Sequence, residues 1–161
     1  MPLDPNVLLR TVPLISSTCS LLFAWDQHFF LSLLNKPETR PHSRPLLTSY
    51  FAPCFRRGLP FVLAAVSVSF GSGMANFFLA RSSPSLPFYV VGSALAFSHL
   101  LYAPFIGPSC RKLLFADTSD PNADLDSWLS VNALRSLTVD LGAWVAFIVA
   151  TVGSLRLEEA K

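Results

Sequence analysis

Five ionisable residues interrupt otherwise apolar stretches of this 161-residue chain: Asp26, His28, His99, Arg135 and Asp140. Two amides, Asn76 and Asn132, do the same. An ionisable group in a long apolar segment is costly to place there, so each is a functional candidate. On a regular helix, Arg135 lies about 60° to one side of Asn132 and Asp140 about 80° to the other. That arrangement aims both at a common pocket without pairing them directly, and Trp128 falls on the same half of the helix. His99 and Tyr102, three residues apart, share a face. Cys19 and Asp26, a heptad apart, share another. Turned inward, these faces gather Asp26, His99, Tyr102, Asn132, Arg135 and Asp140 within walls of Phe, Leu and Trp. The expected site is a lipophilic pocket with a few convergent polar groups.

The charge count suggests a chemistry. Two aspartates oppose one arginine, so one acid is expected to stay protonated in a low dielectric. A carboxylate and a carboxylic acid beside an arginine suit paired general base and acid work. Epoxide opening needs such a pair: a base for water or an internal hydroxyl, and an acid for the leaving oxygen. Asp26 and Asp140 are the expected base and acid, in either order, with Arg135 orienting them. Asn132, His99 and Tyr102 would position water or the epoxide oxygen, and Trp128 and Asn76 complete the candidate substrate-binding set. Blander roles compete with these. Arg135 can simply pair with an acid to hold helices together, and a lone His99 is more often a hydrogen-bonded core residue. Asp26, His28 and His99 lack metal-ligand spacing, so no metal is expected. No glycine-rich phosphate loop, dinucleotide fingerprint or Gly-x-Ser-x-Gly occurs, and no cofactor is expected.

These residues need elements to position them, and composition names the class. Apolar residues make up 52% of the chain and charged residues 14%, with mean hydropathy +0.48. Disorder is excluded, because it needs low hydrophobicity and high charge. A soluble globular enzyme would lack charge to cover its surface. A net charge of +2 with no basic stripe argues against nucleic acid. The expected fold is all-α, a polytopic membrane protein with a four transmembrane helix bundle in a single membrane domain. Its spans are expected at about 13–34, 59–79, 85–106 and 129–155, each near the ~20 residues a helix needs to cross a bilayer. A β-barrel is excluded by segment length and the lack of period-two alternation. The first span is read as retained, since no small-x-small cleavage site follows it.

Punctuation agrees with four spans. Pro37, Pro41 and Pro45 open a polar loop, Pro60 suits a first helical turn, and residues 81–84 suit a tight connection. Pro104 and Pro108 bend or end the third span. The aspartate-rich stretch 117–126 reads as a solvated loop, with Asp126 or Ser127 capping the fourth helix. Tyr89 and Trp128 near segment ends read as interfacial aromatics. Three cysteines, Cys19, Cys54 and Cys110, form no Cys-x-x-Cys, and Cys19 is expected to be a small packing residue. Lys36, Arg40, Arg44, Arg56, Arg57, Arg111 and Lys112 outnumber Arg10, Arg81, Arg156 and Lys161, so the two long loops are expected in the cytoplasm. The expected partners are the lipid bilayer and a lipophilic small molecule, and a homo-oligomer is compatible with the sequence.

The last segment opens Trp128-Leu-Ser-Val-Asn132-Ala-Leu-Arg135, and Tyr102-Ala-Pro-Phe-Ile-Gly-Pro108-Ser109-Cys110 precedes it. This pattern resembles the anthrone-oxygenase-like family of small four-helix membrane proteins of fungal secondary metabolism. Ser109 and Cys110 stand where that family has Thr and Asn. The resemblance implies a membrane-embedded tailoring enzyme acting on lipophilic polyketides, in the endoplasmic reticulum. It carries Asn132 and Arg135 over as polar site residues, with Trp128 lining the site. Cofactor-free anthrone oxygenation is the family's best known activity. The Asp26 segment and Asp140 are not part of the family pattern, and they fit its epoxide-hydrolase-like members better. A non-catalytic membrane scaffold using the basic loop 36–57 is the remaining alternative.

Overall fold

The computed structural model describes residues 4–79 and 84–159, and in these the protein is helical without β-strands. Four helices are long and apolar enough to cross a membrane: Pro5–Leu33, Leu47–Leu79, Leu86–Phe115 and Pro121–Leu155. They form the expected four-helix bundle. The first is α1 (Pro5–Leu33), followed by the short α2 (Arg40–Ser43) and by α3 (Leu47–Leu79). The third span is α4 (Leu86–Ser98), a 3-10 turn at His99–Tyr102, and α5 (Ala103–Phe115). The fourth is α6 (Pro121–Arg135), a π-helical turn at Ser136–Asp140, and α7 (Leu141–Glu159). The connection expected at 81–84 falls largely outside the described residues, as do Lys161 and the Arg156 side chain.

Each helix runs further than its apolar stretch. α1 starts at Pro5 because Asp4 caps it, accepting from the Asn6 N–H at 2.8 Å. α3 starts at Leu47, so Pro60 is inside the helix rather than in its first turn. Leu47 and Phe51, four residues apart, are each 1% exposed and anchor that added stretch. α6 starts at Pro121, capped by Asp120 rather than by Asp126 or Ser127. Leu125, Trp128 and Leu129 bury one side of it, which turns the expected loop into an amphipathic helix.

α1 and α4 each pack against α3 and α7, while α5 packs against α6 and α3. Sequence neighbours are thus spatial neighbours around the bundle. Two buried clusters result. One joins Tyr89, Ala96, Ala143, Phe147 and Ala150. Small residues there let helices approach closely: a Cβ on Gly92 would lie 2.7 Å from the Phe147 ring. The other joins Leu31, Leu47, Phe51, Cys110, Leu113, Leu125, Trp128 and Leu129. Tyr89 and Trp128 therefore belong to the interior rather than to an interfacial belt. Tyr89 donates to the Arg10 carbonyl at 3.1 Å, an acceptor that keeps its hydroxyl satisfied inside. Cys19 is exposed, not packed, because it faces outward on α1.

Candidate active site

The site lies between the two clusters, where both the third and the fourth spans depart from regular α-helix. Residues five apart in a regular helix point about 140° away from each other. The π-helical turn holds one more residue per turn and so carries Asp140 round beneath Arg135. Arg135 Nε donates to Asp140 Oδ2 at 3.2 Å. The pair expected to be unstacked is therefore a direct ion pair, with both side chains less than a tenth exposed. Arg135 Nη2 donates to Asn132 Oδ1 at 2.8 Å, and Asn132 Nδ2 donates to the Ala24 carbonyl of α1 at 3.3 Å.

The third span supplies the other end of this chain. His99 opens the 3-10 turn, and its Nδ1 lies 2.8 Å from Asp140 Oδ1. A carboxylate only accepts, so Nδ1 carries a proton, and in the neutral imidazole Nε2 is then the nitrogen with the lone pair. The fully buried side-chain nitrogens and oxygens without a nitrogen or oxygen partner, among the described residues, are His28 Nδ1 and Trp128 Nε1, the latter beside the Cys110 thiol. His99 Nε2 and Arg135 Nη1 also lack a protein partner, and neither belongs to that fully buried pair. Both residues line a cleft of about 240 Å³. Phe55, Leu59, Leu63, Leu100, Ile106 and Trp128 make most of its apolar wall. Tyr102 lines it too, with its hydroxyl 3.0 Å from Thr138 Oγ1. Charge is balanced locally, Arg135 against Asp140, so the cleft itself does not require a protonated acid.

The structure thus brings together His99, Asn132, Arg135 and Asp140, and puts Tyr102 and Trp128 on the same cleft. Asn76 is elsewhere. It is buried toward the other end of α3 and donates at 2.8 Å to the carbonyls of Leu9 and Ser72, tying α3 to α1. Asp26 is exposed on α1 and has neither a hydrogen bond nor an ion pair among the described residues. Because α1 begins at Pro5, Asp26 is near its far end, level with Arg57 and Gly58: Phe23 and Gln27 flank the Gly58 backbone. His28 lines a separate apolar groove with Trp25 and Leu137. Among the described residues, no three His, Cys, Asp or Glu side chains converge as a metal set would.

Two lining residues escaped the sequence reading. Gln27 faces the cleft beside His99, and Cys110 lines it under Trp128. The Asp26-Gln27-His28 break in the apolar run was the available signal for Gln27. Nothing in the residue types announced the π-turn.

This geometry can present a base and a cationic hydrogen-bond donor side by side to an apolar guest. No family model matches the chain, and no solved structure does. Curated relatives do match over nearly their whole length. An epoxidase of an Acremonium species, pydX, is 24% identical over 159 residues, 94% of this chain and 96% of its own. The Penicillium citrinum epoxidase gkaX is 28% identical over 157 residues, 92% and 95% of the two chains. The oxaleimides biosynthesis cluster protein N of Penicillium oxalicum is 29% identical over 161 residues, 92% and 90%. The similarity is thus to fungal proteins of secondary metabolism, three of them named as epoxidases or a probable epoxidase. It does not extend to a demonstrated anthrone-oxygenase family.

Proposed function

We propose that this chain is a membrane-embedded tailoring enzyme of secondary metabolism, in the endoplasmic reticulum, that opens an epoxide on a lipophilic substrate. The observation that carries this is the hydrogen-bonded His99–Asp140–Arg135 chain, whose two outer members line one apolar cleft. The relatives named epoxidase support a step in which an epoxide takes part. The base is assigned to His99 rather than to Asp26 or Asp140. Asp140 holds the imidazole tautomer, and Arg135 serves the oxygen.

The steps balance without a further reactant. His99 Nε2 takes a proton from water or from a substrate hydroxyl, and that oxygen attacks an epoxide carbon. The carbon–oxygen bond breaks and its electron pair stays on the departing oxygen. Arg135 Nη1 donates a hydrogen bond to that alkoxide, and His99 returns the proton to it. The product is a diol or a cyclic ether. Asn132 holds the guanidinium in place from behind.

A second reading has the names of the relatives in its favour: epoxide formation. There an alkene, dioxygen, two electrons and two protons give an epoxide and water, and the cell supplies a two-electron donor. Cofactor-free anthrone oxygenation shares its dependence on dioxygen. Microsomes carrying the protein, given 1,2-epoxyhexadecane in oxygen-18 water without air, separate the readings. Diol with one atom of label from water, lost in His99→Gln, is expected. Inert epoxide, together with air-dependent conversion of 1-hexadecene or an anthrone, would move the protein to the oxygenase reading. If cleft substitutions were silent in every assay while loop 36–57 substitutions were not, the scaffold reading would replace both.

A further inference from the structure

The register of α1 against α3 sets a depth scale. Ser16 donates to the Ala65 carbonyl at 2.9 Å, Phe23 meets Phe61 with ring centroids 4.7 Å apart, and Gly58 faces Gln27. Asp26 and Arg57 therefore share one level. At this level the charges face outward: Asp26, Arg56 and Arg57 are exposed, as are Arg111 and Lys112 just past the cleft residue Cys110. From there the 22 residues 58–79 of α3 carry no charged side chain. At 1.5 Å per residue they span about 33 Å, close to the ~30 Å hydrocarbon core of a bilayer. The charged belt thus marks the headgroup level. Beyond it the helix ends close over a well-buried core, Leu47, Phe51, Leu113 and Leu125, as a water-soluble domain does.

The cleft straddles that level. Phe55 and Trp128 lie on its aqueous side, with Cys110 at the level itself. Leu59, Leu63, Leu100 and Ala103 lie on its hydrocarbon side, and all four are exposed. The mouth between α3 and the 3-10 turn therefore faces acyl chains. The cleft volume of about 240 Å³ is below the ~300–1,000 Å³ of pockets that enclose a drug-sized ligand.

From this we infer that the cleft takes only the reactive end of a long lipophile, which enters sideways from the bilayer between Leu59/Leu63 and Leu100/Ala103. The remainder of the molecule stays among the lipids. This rests on the cleft being the reaction site, and it narrows the substrate to a long-chain molecule with its epoxide within reach of one end. Water approaches from the opposite, aqueous side of the same cleft.

Two measurements test it. The first compares kcat/KM for 1,2-epoxyhexadecane and 1,2-epoxybutane in membranes carrying Ala103→Trp or Leu63→Trp. Narrowing the mouth should lower the long-to-short ratio by about tenfold or more. An unchanged ratio overturns the proposal. The second needs no turnover, so it stands even if the proposed reaction fails. Wild-type protein is photolabelled with an aryl diazirine dissolved in the bilayer, then digested for mass spectrometry. Adducts are expected on segments 59–63 and 100–103, reduced by excess 1,2-hexadecanediol. Labelling confined to outward residues such as Leu134 and Leu137, or adducts that the diol does not reduce, refutes lateral entry.

Discussion

Asp140→Asn isolates what the carboxylate does. Asp140 accepts from two donors at once, His99 Nδ1 at 2.8 Å and Arg135 Nε at 3.2 Å, with its side chain 4% exposed. An amide of the same shape has one oxygen for those two donors. If the oxygen faces Arg135, the amide N–H₂ faces His99, Nδ1 becomes an acceptor and Nε2 is protonated. The base is then lost, and inverting a catalytic histidine tautomer costs about 10⁴-fold in kcat where a His–carboxylate pair does the work. If the oxygen faces His99, the amide N–H₂ abuts Arg135 and leaves a buried cation uncompensated. Breaking a buried pair from one side costs about 3–5 kcal/mol, a large share of the ~5–15 kcal/mol that keeps a domain folded. At about 2–4 °C per kcal/mol for a chain of this size, the melting temperature should fall by roughly 6–20 °C. Detergent-solubilised protein followed by thermal-shift fluorescence, and microsomal diol formation per folded molecule, read the two effects separately. Turnover within tenfold of wild type in folded Asp140→Asn protein would refute the dyad.

Asp26→Asn should leave turnover within about twofold and stability within ~0.5 kcal/mol, as for an exposed unpartnered surface residue; loss of activity in the same diol assay would return Asp26 to the site. Gly92→Ala should cost about 1–3 kcal/mol, because its Cβ would meet the Phe147 ring at 2.7 Å and Phe147 is fully buried with nowhere to give. A melting temperature equal to wild type would show that the ring can move. Trp128→Phe keeps an aromatic ring edge-on to Phe51 but shrinks a buried side chain and removes its contact with the Cys110 thiol, so its melting temperature should fall by the equivalent of about 1–2 kcal/mol. A melting temperature equal to wild type would show that the core closes around the smaller ring.

The four spans were legible because apolar length is a direct demand of the bilayer. Their true ends were not, since residues 47–58 are only moderately apolar and 121–128 are largely polar. They become helix by burying Leu47, Phe51, Leu125 and Trp128 against one another, which a linear hydropathy profile does not show. The same extension explains Asp26. Counted from Pro13 it falls inside a span, but counted from Pro5 it reaches the charged belt. Arg135, Asp140, Asn132 and His99 were legible as types, because an apolar segment carries such groups only when something satisfies them. Their pairing was not legible, because the wheel assumes a regular helix and the π-turn breaks that assumption exactly where Arg135 and Asp140 meet.

The two irregular turns and the charged belt belong to one design. A regular α-helix through Ser136–Asp140 would point Asp140 away from Arg135 and leave each charge alone in an apolar bundle, a costly state. The π-turn pairs them, and the 3-10 turn brings His99 to the free oxygen of the same carboxylate. Both turns are found beside the cleft that the proposal sets across the headgroup level, with Tyr102 of one bound to Thr138 of the other. A reaction between water and a lipophile has to take place where both can arrive. Deeper in the bundle, packing is closed by Gly73, Gly92 and the buried Phe147, leaving no comparable room beside that ring. Further out, the Leu31–Leu129 core is filled by its own side chains. The junction between them is where the helices depart from regularity, and there His99 and Arg135 line the cleft.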